Sequence, residues 1–290
     1  MAIDFKALGA AAAKSGTDMT QAKQGGGDYT PPAEGNCRLR LVGYIELGKH
    51  SKVYKGVPKT EAQVELVFEV SGPKHPPADV DGKKVPIRLS ETMSLSLNEK
   101  ANFFKLFQRM NYAGDAQHMI QLLGRPFLGT IFHDKWTGKD GKERVTAQLR
   151  GPDGYSIRPP RVEDPESGEW KVVEVAPAIT PLKGFLWDHA DLEQWDSIFI
   201  DGEYPARTND KGEVTAPAKS KNVFQEKIRS ALNFPGSPIA ELLATRGIGK
   251  LDLPATDDPQ ERPEDPPATQ APTAAEKGAT AAADPLAGVA

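Results

Sequence analysis

Two short stretches concentrate side chains that can grip a polyanion. The first, Gly48 to Thr60, holds Lys49, His50, Lys52, Tyr54, Lys55 and Lys59, with no acid between Glu46 and Glu61. The second, Asp134 to Lys142, holds Lys135, Trp136, Lys139 and Lys142. Ammonium groups neutralise phosphates whatever the base sequence, and an exposed aromatic ring offers a base a stacking surface worth about 1–3 kcal/mol. A lysine-rich loop by itself is usually only a solvated loop. Cations paired with a large aromatic in both stretches point instead to nucleic acid. Arg88, Arg144 and Arg150 lie on the polar faces of neighbouring strand-like runs and complete the candidate set.

Other chemistries lack their residues. The five histidines (His50, His75, His118, His133 and His189) are scattered, and no Gly-x-Ser-x-Gly, His-Glu-x-x-His or dinucleotide fingerprint occurs. Gly43 to Lys49 copies the start of a phosphate-binding P-loop. His50, however, stands where Ser or Thr would hold magnesium, and lysines, Gly56 and Pro58 follow in place of a helix. Asp188, His189, Asp191, Glu193 and Asp196 have neither calcium-loop nor zinc-helix spacing and read as a solvated acidic turn. Cys37 is the only cysteine, which leaves no intrachain disulfide and no cysteine metal cluster. The expectation is a binding protein, not an enzyme, with no cofactor.

The elements that must position these residues are legible as alternation. Side chains on a strand point to opposite faces in turn. Arg38–Leu47, Gln63–Val70, Val85–Leu97, Phe127–Asp134 and Arg144–Arg150 all alternate, so one face should bury while the other stays wet. A helix from Asn98 to about Asn111 follows a capping-box pattern, Ser96-Leu97-Asn98-Glu99, and carries Phe103, Leu106, Phe107 and Met110 at helical spacing. A shorter helical piece, Gln117–Leu123, stops at Gly124. The order β-β-β-α-β-β predicts a mainly β fold with some α, a five-stranded OB-like barrel with the helix between strands three and four. The two basic stretches would then be the loops between strands one and two and between strands four and five, which flank an OB groove, with Trp136 at the tip of the second. Glu65 and Glu69 would face that groove, where a nucleic acid disfavours them.

Charge divides the chain further. Residues 36–162 carry 21 Lys/Arg against 13 Asp/Glu, a net of +8, whereas residues 163–290 carry 12 against 23, a net of −11. We read residues 1–35 as a flexible glycine-rich arm and 36–162 as the nucleic-acid-binding core. Residues 163–250 form an elaboration in which Trp187, Trp195 and Phe199 pack on the core. Within it, Thr208–Lys221 reads as a polar linker before helices from Asn222 and from Ser237-Pro238. Residues 251–290 are acidic and rich in Pro and Ala, with no aromatic residue, and should be disordered. No apolar run approaches the roughly 20 residues of a membrane span, and no secretory signal is evident, so a cytoplasmic location is expected.

The phrases Phe185-Leu-Trp-Asp188, Asp196-Ser-Ile-Phe-Ile-Asp-Gly202 and Leu95-Ser-Leu-Asn-Glu-Lys100 add to this pattern of basic core, glycine-rich arm and acidic tail. Together they resemble the single-stranded DNA-binding proteins of tailed bacteriophages, over about residues 30–245. The resemblance implies a protein that coats single strands during phage DNA replication or recombination in the host cytoplasm and contacts replication proteins through its acidic tail. The alternative is a virion or assembly protein that uses the barrel for protein contacts. The sequence leaves the oligomeric state open.

One prediction follows from charge alone. Residues 251–290 carry a net charge of −6, and a tether holds them near the +8 core at an effective concentration on the order of millimolar. Truncation after Lys250 should tighten single-strand binding at low salt. The gain should shrink as screening shortens to about 10 Å at 0.1 M. Equal affinities of full-length and truncated protein at low salt would leave the tail without a competing role.

Overall fold

The computed structural model describes residues 30–247, except Lys55, Asp81, Lys139, Asp140, Lys142, 209–211 and Glu213, and except the side chains of Tyr54 and Arg207. The acidic tail 251–290 and most of the expected N-terminal arm lie outside the described residues. What is described is mainly β, with strand well in excess of helix. In chain order come β1 (Gly35–Tyr54), β2 (Val57–Ser71), β3 (Ala78–Val80), β4 (Lys83–Val85) and β5 (Ile87–Ser94). Helix α1 (Asn102–Met110) and a 3₁₀ turn (Met119–Leu122) precede β6 (Pro126–Thr137), β7 (Glu143–Gln148), β8 (Arg150–Gly151) and β9 (Gly154–Tyr155). The elaboration adds β10 (Arg161–Glu163), β11 (Trp170–Val172), β12 (Lys183–Phe185), α2 (Leu192–Ser197) and β13 (Glu203–Tyr204). It ends with β14 (Arg207–Thr208), β15 (Val214–Ala216), β16 (Lys219–Ser220), α3 (Val223–Arg229) and α4 (Pro238–Thr245).

The main sheet is antiparallel in the order β5-β2-β1-β6-β7, with β12 added parallel to β1. The five expected strands are therefore present in their expected chain order, with the helix between the third and fourth. β5 and β7 form the two edges, and no strand pairing joins them among the described residues.

β1 organises the sheet because it is used on both edges and both faces. β2 pairs with it from Arg38 to Tyr54, while the other edge takes β6 at Gly35–Arg40 and β12 at Gly43–Ile45. Leu232 N then donates to Lys49 O at 2.8 Å, and Lys49 N to Asn233 Oδ1 at 2.7 Å. The expectation of one buried and one wet face fails here. Bulges between Leu41 and Gly43 and between Glu46 and Gly48 shift the alternation. Leu39, Leu41 and Tyr44 enter a core with Phe68, Leu89, Met110 and Phe127, while Val42, Ile45 and Leu47 enter a second core with Phe185, Trp195, Ile228 and Ile239. The elaboration is what buries the second face.

Several boundaries differ for local reasons. Pro86 has no amide to donate and interrupts the third run, so Val85 ends the small β3–β4 hairpin and β5 starts at Ile87. α1 begins at Asn102, and its N-cap Ala101 has no side-chain cap. The expected capping box is a turn instead, in which Ser96 Oγ accepts from Asn98 N at 3.4 Å and Asn98 Oδ1 from Lys100 N at 2.9 Å. Thr208–Lys221 is no linker, since β13–β16 pair as two small hairpins across it. Phe199 is half exposed, whereas Trp195 is buried as expected. Ser237 caps α4 by accepting from Ala240 N, with Pro238 in the first turn, as its sequence implies.

Gly48 is the tightest point in this arrangement. Its φ is +82°, and a Cβ there would collide with Cζ3 and Cη2 of Trp187 and lie 2.7 Å from Ala231 Cβ. Gly48→Ala should therefore lower stability by about 2–4 kcal/mol, through backbone strain and overpacking together, in urea unfolding. An unchanged midpoint would contradict the close seat of Trp187 on β1.

Candidate nucleic-acid interface

The first basic stretch is not a loop. β1 and β2 stay paired through Lys52↔Lys59, Val53↔Pro58 and Tyr54↔Val57, with Gly56 at φ +77° beyond the last pair. The lysines thus ride on a two-stranded arm. Its alternating Lys, Val, Tyr and Thr suit a strand, and a glycine at positive φ suits a hairpin. Lys49, Lys52 and Lys59 are exposed; the side chain of Tyr54, and Lys55 altogether, lie outside what is described.

On one face of the arm Lys52 and Lys59 converge on Glu61. Lys52 Nζ lies 3.0 Å from Glu61 Oε2, and Lys59 Nζ and Ser94 Oγ also bond this carboxylate. Burial alone would raise the Glu61 pKa, but the bonds from Lys59, Ser94 and Lys52 outweigh it and bring the group down to about 2. His50 faces Glu61 across the ladder and accompanies this cluster, yet it is a poor phosphate cation. Burial first, and Lys227 as well, lower its pKa against the opposing bond to Leu47 O at 3.0 Å, which leaves the ring neutral at pH 7.

The second basic stretch also extends as a hairpin, with β6 running to Thr137 and β7 beginning at Glu143. Trp136 is a strand residue opposite Arg144, not the tip of a loop. Its Nε1 donates to Thr146 Oγ1 at 3.2 Å, and the Arg144 guanidinium lies 5.1 Å from the ring centroid. One ring face is therefore held by a cation. Lys135 is exposed beside it, while Lys139 and Lys142 lie outside the described residues. Because β6 runs antiparallel to β1, this hairpin leaves past the N-terminal end of β1 and the arm leaves past its C-terminal end.

Arg88 is exposed on β5 opposite Glu69, and Arg150 is half buried where β8 pairs with β9. Between the arm and Arg88 runs the outer face of β2 and β5, with Gln63, Glu65, Ser90, Thr92 and Ser94 half buried along it. These hydroxyls are absent from the site expected on sequence; their alternation with Leu89 and Met93 is the signal that could have found them. The acids expected to oppose a nucleic acid there are already engaged. Glu69 is buried and accepts Thr180 N at 2.7 Å and Ile179 N at 2.9 Å, while Glu65 takes the Thr92 hydroxyl at 3.3 Å. Lys183, also outside the expected site, is held near Arg88. Its pKa is lowered by burial first and by that arginine second.

The described geometry defines a β protein with two basic hairpins and no group of His, Cys, Asp or Glu placed to hold a metal ion among the described residues. No family model, no curated protein and no solved structure matches the chain.

The Glu61 cluster gives a test in two parts. A carboxylate whose pKa is depressed stabilises the fold above about pH 4.5, and that contribution is lost as pH falls towards 2. Glu61→Gln should therefore be less stable than the parent at pH 7, with the gap in thermal midpoint closing between about pH 4.5 and 2. It should also tighten polyanion binding at low salt, because Lys52 and Lys59 lose their internal counterion. A constant gap across that range would contradict the assignment.

Proposed function

We propose that the chain is a sequence-nonspecific single-stranded DNA-binding protein. It acts in phage DNA replication or recombination in the host cytoplasm, and it grips strands with the lysines of its two hairpins and with Trp136. The observation that carries this reading is the β1–β2 arm, which presents Lys49, Lys52 and Lys59 to solvent with no acid between Glu46 and Glu61. The Lys52 and Lys59 side chains are 45% and 61% exposed above the largely covered Glu61, so a phosphate can approach their ammonium groups from the solvent side. The choice of DNA over RNA, of a phage setting and of replication proteins as partners of the acidic tail follows the resemblance noted above.

An OB-like barrel is the architecture we infer for this grip. Its closure would bring β5 against β7. The buried Glu91 of β5 accepts Leu149 N, just beyond β7, at 2.9 Å. Leu89, Met93, Ala147 and Leu149 share one core with Phe103, Leu106 and Met110 of α1, as a plug between those edges requires. The rival reading, a virion or assembly protein, is favoured by one feature, the β10–β11 hairpin, where Trp170 and Val172 are 56% and 82% exposed. Purification in a stable large assembly free of nucleic acid would support that rival. Among the described residues no helix is long and apolar enough to cross a membrane.

Titration of fluorescent oligo-dT at several salt concentrations tests the proposal. Replacing Lys49, Lys52 and Lys59 together by Gln should weaken binding and flatten the slope of log K against log salt by about 0.7 for each phosphate no longer neutralised. Trp136→Ala should cost about 1–3 kcal/mol of binding. An unchanged salt slope in the triple variant would remove the arm from the interface.

A further inference from the structure

The β1–β2 arm carries more than charge. Every described residue from Ser51 to Val53 and from Gly56 to Thr60 is exposed, and among them Val53 and Val57 are 56% and 64% exposed. Register places Val53 with Pro58 on one face of the tip and Val57 on the other, so each face ends in an apolar side chain. Valine is stiff at χ1, and Val53 is paired with Pro58 across the ladder, so the described end of the ladder is a blunt shape. Below it stand Lys52 and Lys59, opposite one another.

We propose that this arm is a strand-separating wedge that works at junctions between duplex and single-stranded DNA. The inference rests on the single-strand reading above and assigns a second activity to the same site. From Lys49 to Tyr54 a strand rises about 17 Å, and a two-stranded ribbon fits a groove about 12 Å wide. Lys52 and Lys59 hold the phosphates of the displaced strand. Val53, Pro58 and Val57 press on the terminal base pair, as apolar wedges inserted between bases unstack them. A protein partner for an apolar tip would be better served by an uncharged surround. The stretch from Lys49 to Glu61 instead carries four lysines against one acid, the Glu61 on which two of them rest, a net positive charge that favours a polyanion.

Passive trapping of single strands also opens a duplex, but then opening must follow single-strand affinity. The full-length protein and its Val53→Ser/Val57→Ser variant are compared on two probes, a labelled oligo-dT and a forked duplex with an oligo-dT tail and a fluorophore–quencher pair at the junction. Both substituted positions are exposed, and thermal melting of the variant checks its fold. The variant should keep oligo-dT affinity within about twofold and lose at least about fivefold in fork opening. Fork opening equal to that of the parent, or falling only in step with oligo-dT affinity, would overturn the wedge. A parent that binds oligo-dT but leaves the fork closed would overturn it too, while sparing the single-strand reading. A parent that does not bind oligo-dT would overturn that reading, and the wedge with it.

Discussion

Eight consecutive residues of β1, Leu41 to Gly48, are buried, and both cores of the described fold meet on them. A strand packed on both faces cannot keep a simple apolar–polar alternation. The chain meets this constraint with two bulges and with glycines where a second body comes close. At Gly43 a Cβ would stand 2.8 Å from Val67 Cβ, and at Gly48 it would meet Trp187. Only beyond His50, past the bonds that Leu232 and Asn233 make to Lys49, does the β1–β2 ladder run on into solvent as an arm.

Carboxylates tie the later segments to this strand and its neighbours. Glu46 accepts from the Tyr44 hydroxyl at 2.8 Å and from Trp187 N at 2.7 Å, and Glu69 accepts from Ile179 and Thr180. Burial, and then the Glu46 carboxylate, push ionisation of the Tyr44 hydroxyl far above its usual range, so it remains a donor. Histidines do similar work at the start of β1. His133 Nε2 lies 2.7 Å from Pro32 O and His75 Nε2 2.8 Å from Ala33 O, which fixes where the chain enters the sheet. Buried acids left unpaired would cost several kcal/mol each. Paired to backbone amides, they define where the elaboration sits.

Period-two patterns carry the strand order because alternation of Val64, Leu66 and Phe68 with polar neighbours is a local property. The arm reads as a loop in sequence because lysines, Gly56 and Pro58 resemble loop composition, whereas cross-strand pairing of Lys52 with Lys59 is not visible in one strand alone. Trp136 reads as a tip residue for the same reason, and its partner Arg144 becomes evident only with the register. The second core is also hidden. Its residues on β1, Val42, Ile45 and Leu47, lie some 140 to 200 positions from Phe185, Trp195, Ile228 and Ile239, and only the folded chain brings them together.

Nucleic acid lying along the arm and the β6–β7 hairpin would shield particular lysines from modification. Lysine acetylation footprinting of the full chain, read by mass spectrometry with and without oligo-dT, therefore tests the proposed interface residue by residue. Protection is expected at Lys49, Lys52, Lys59 and Lys135, with no change at Lys83, Lys84 and Lys171 on the small hairpins. Protection confined to the latter three, or an identical pattern with and without oligo-dT, would contradict it.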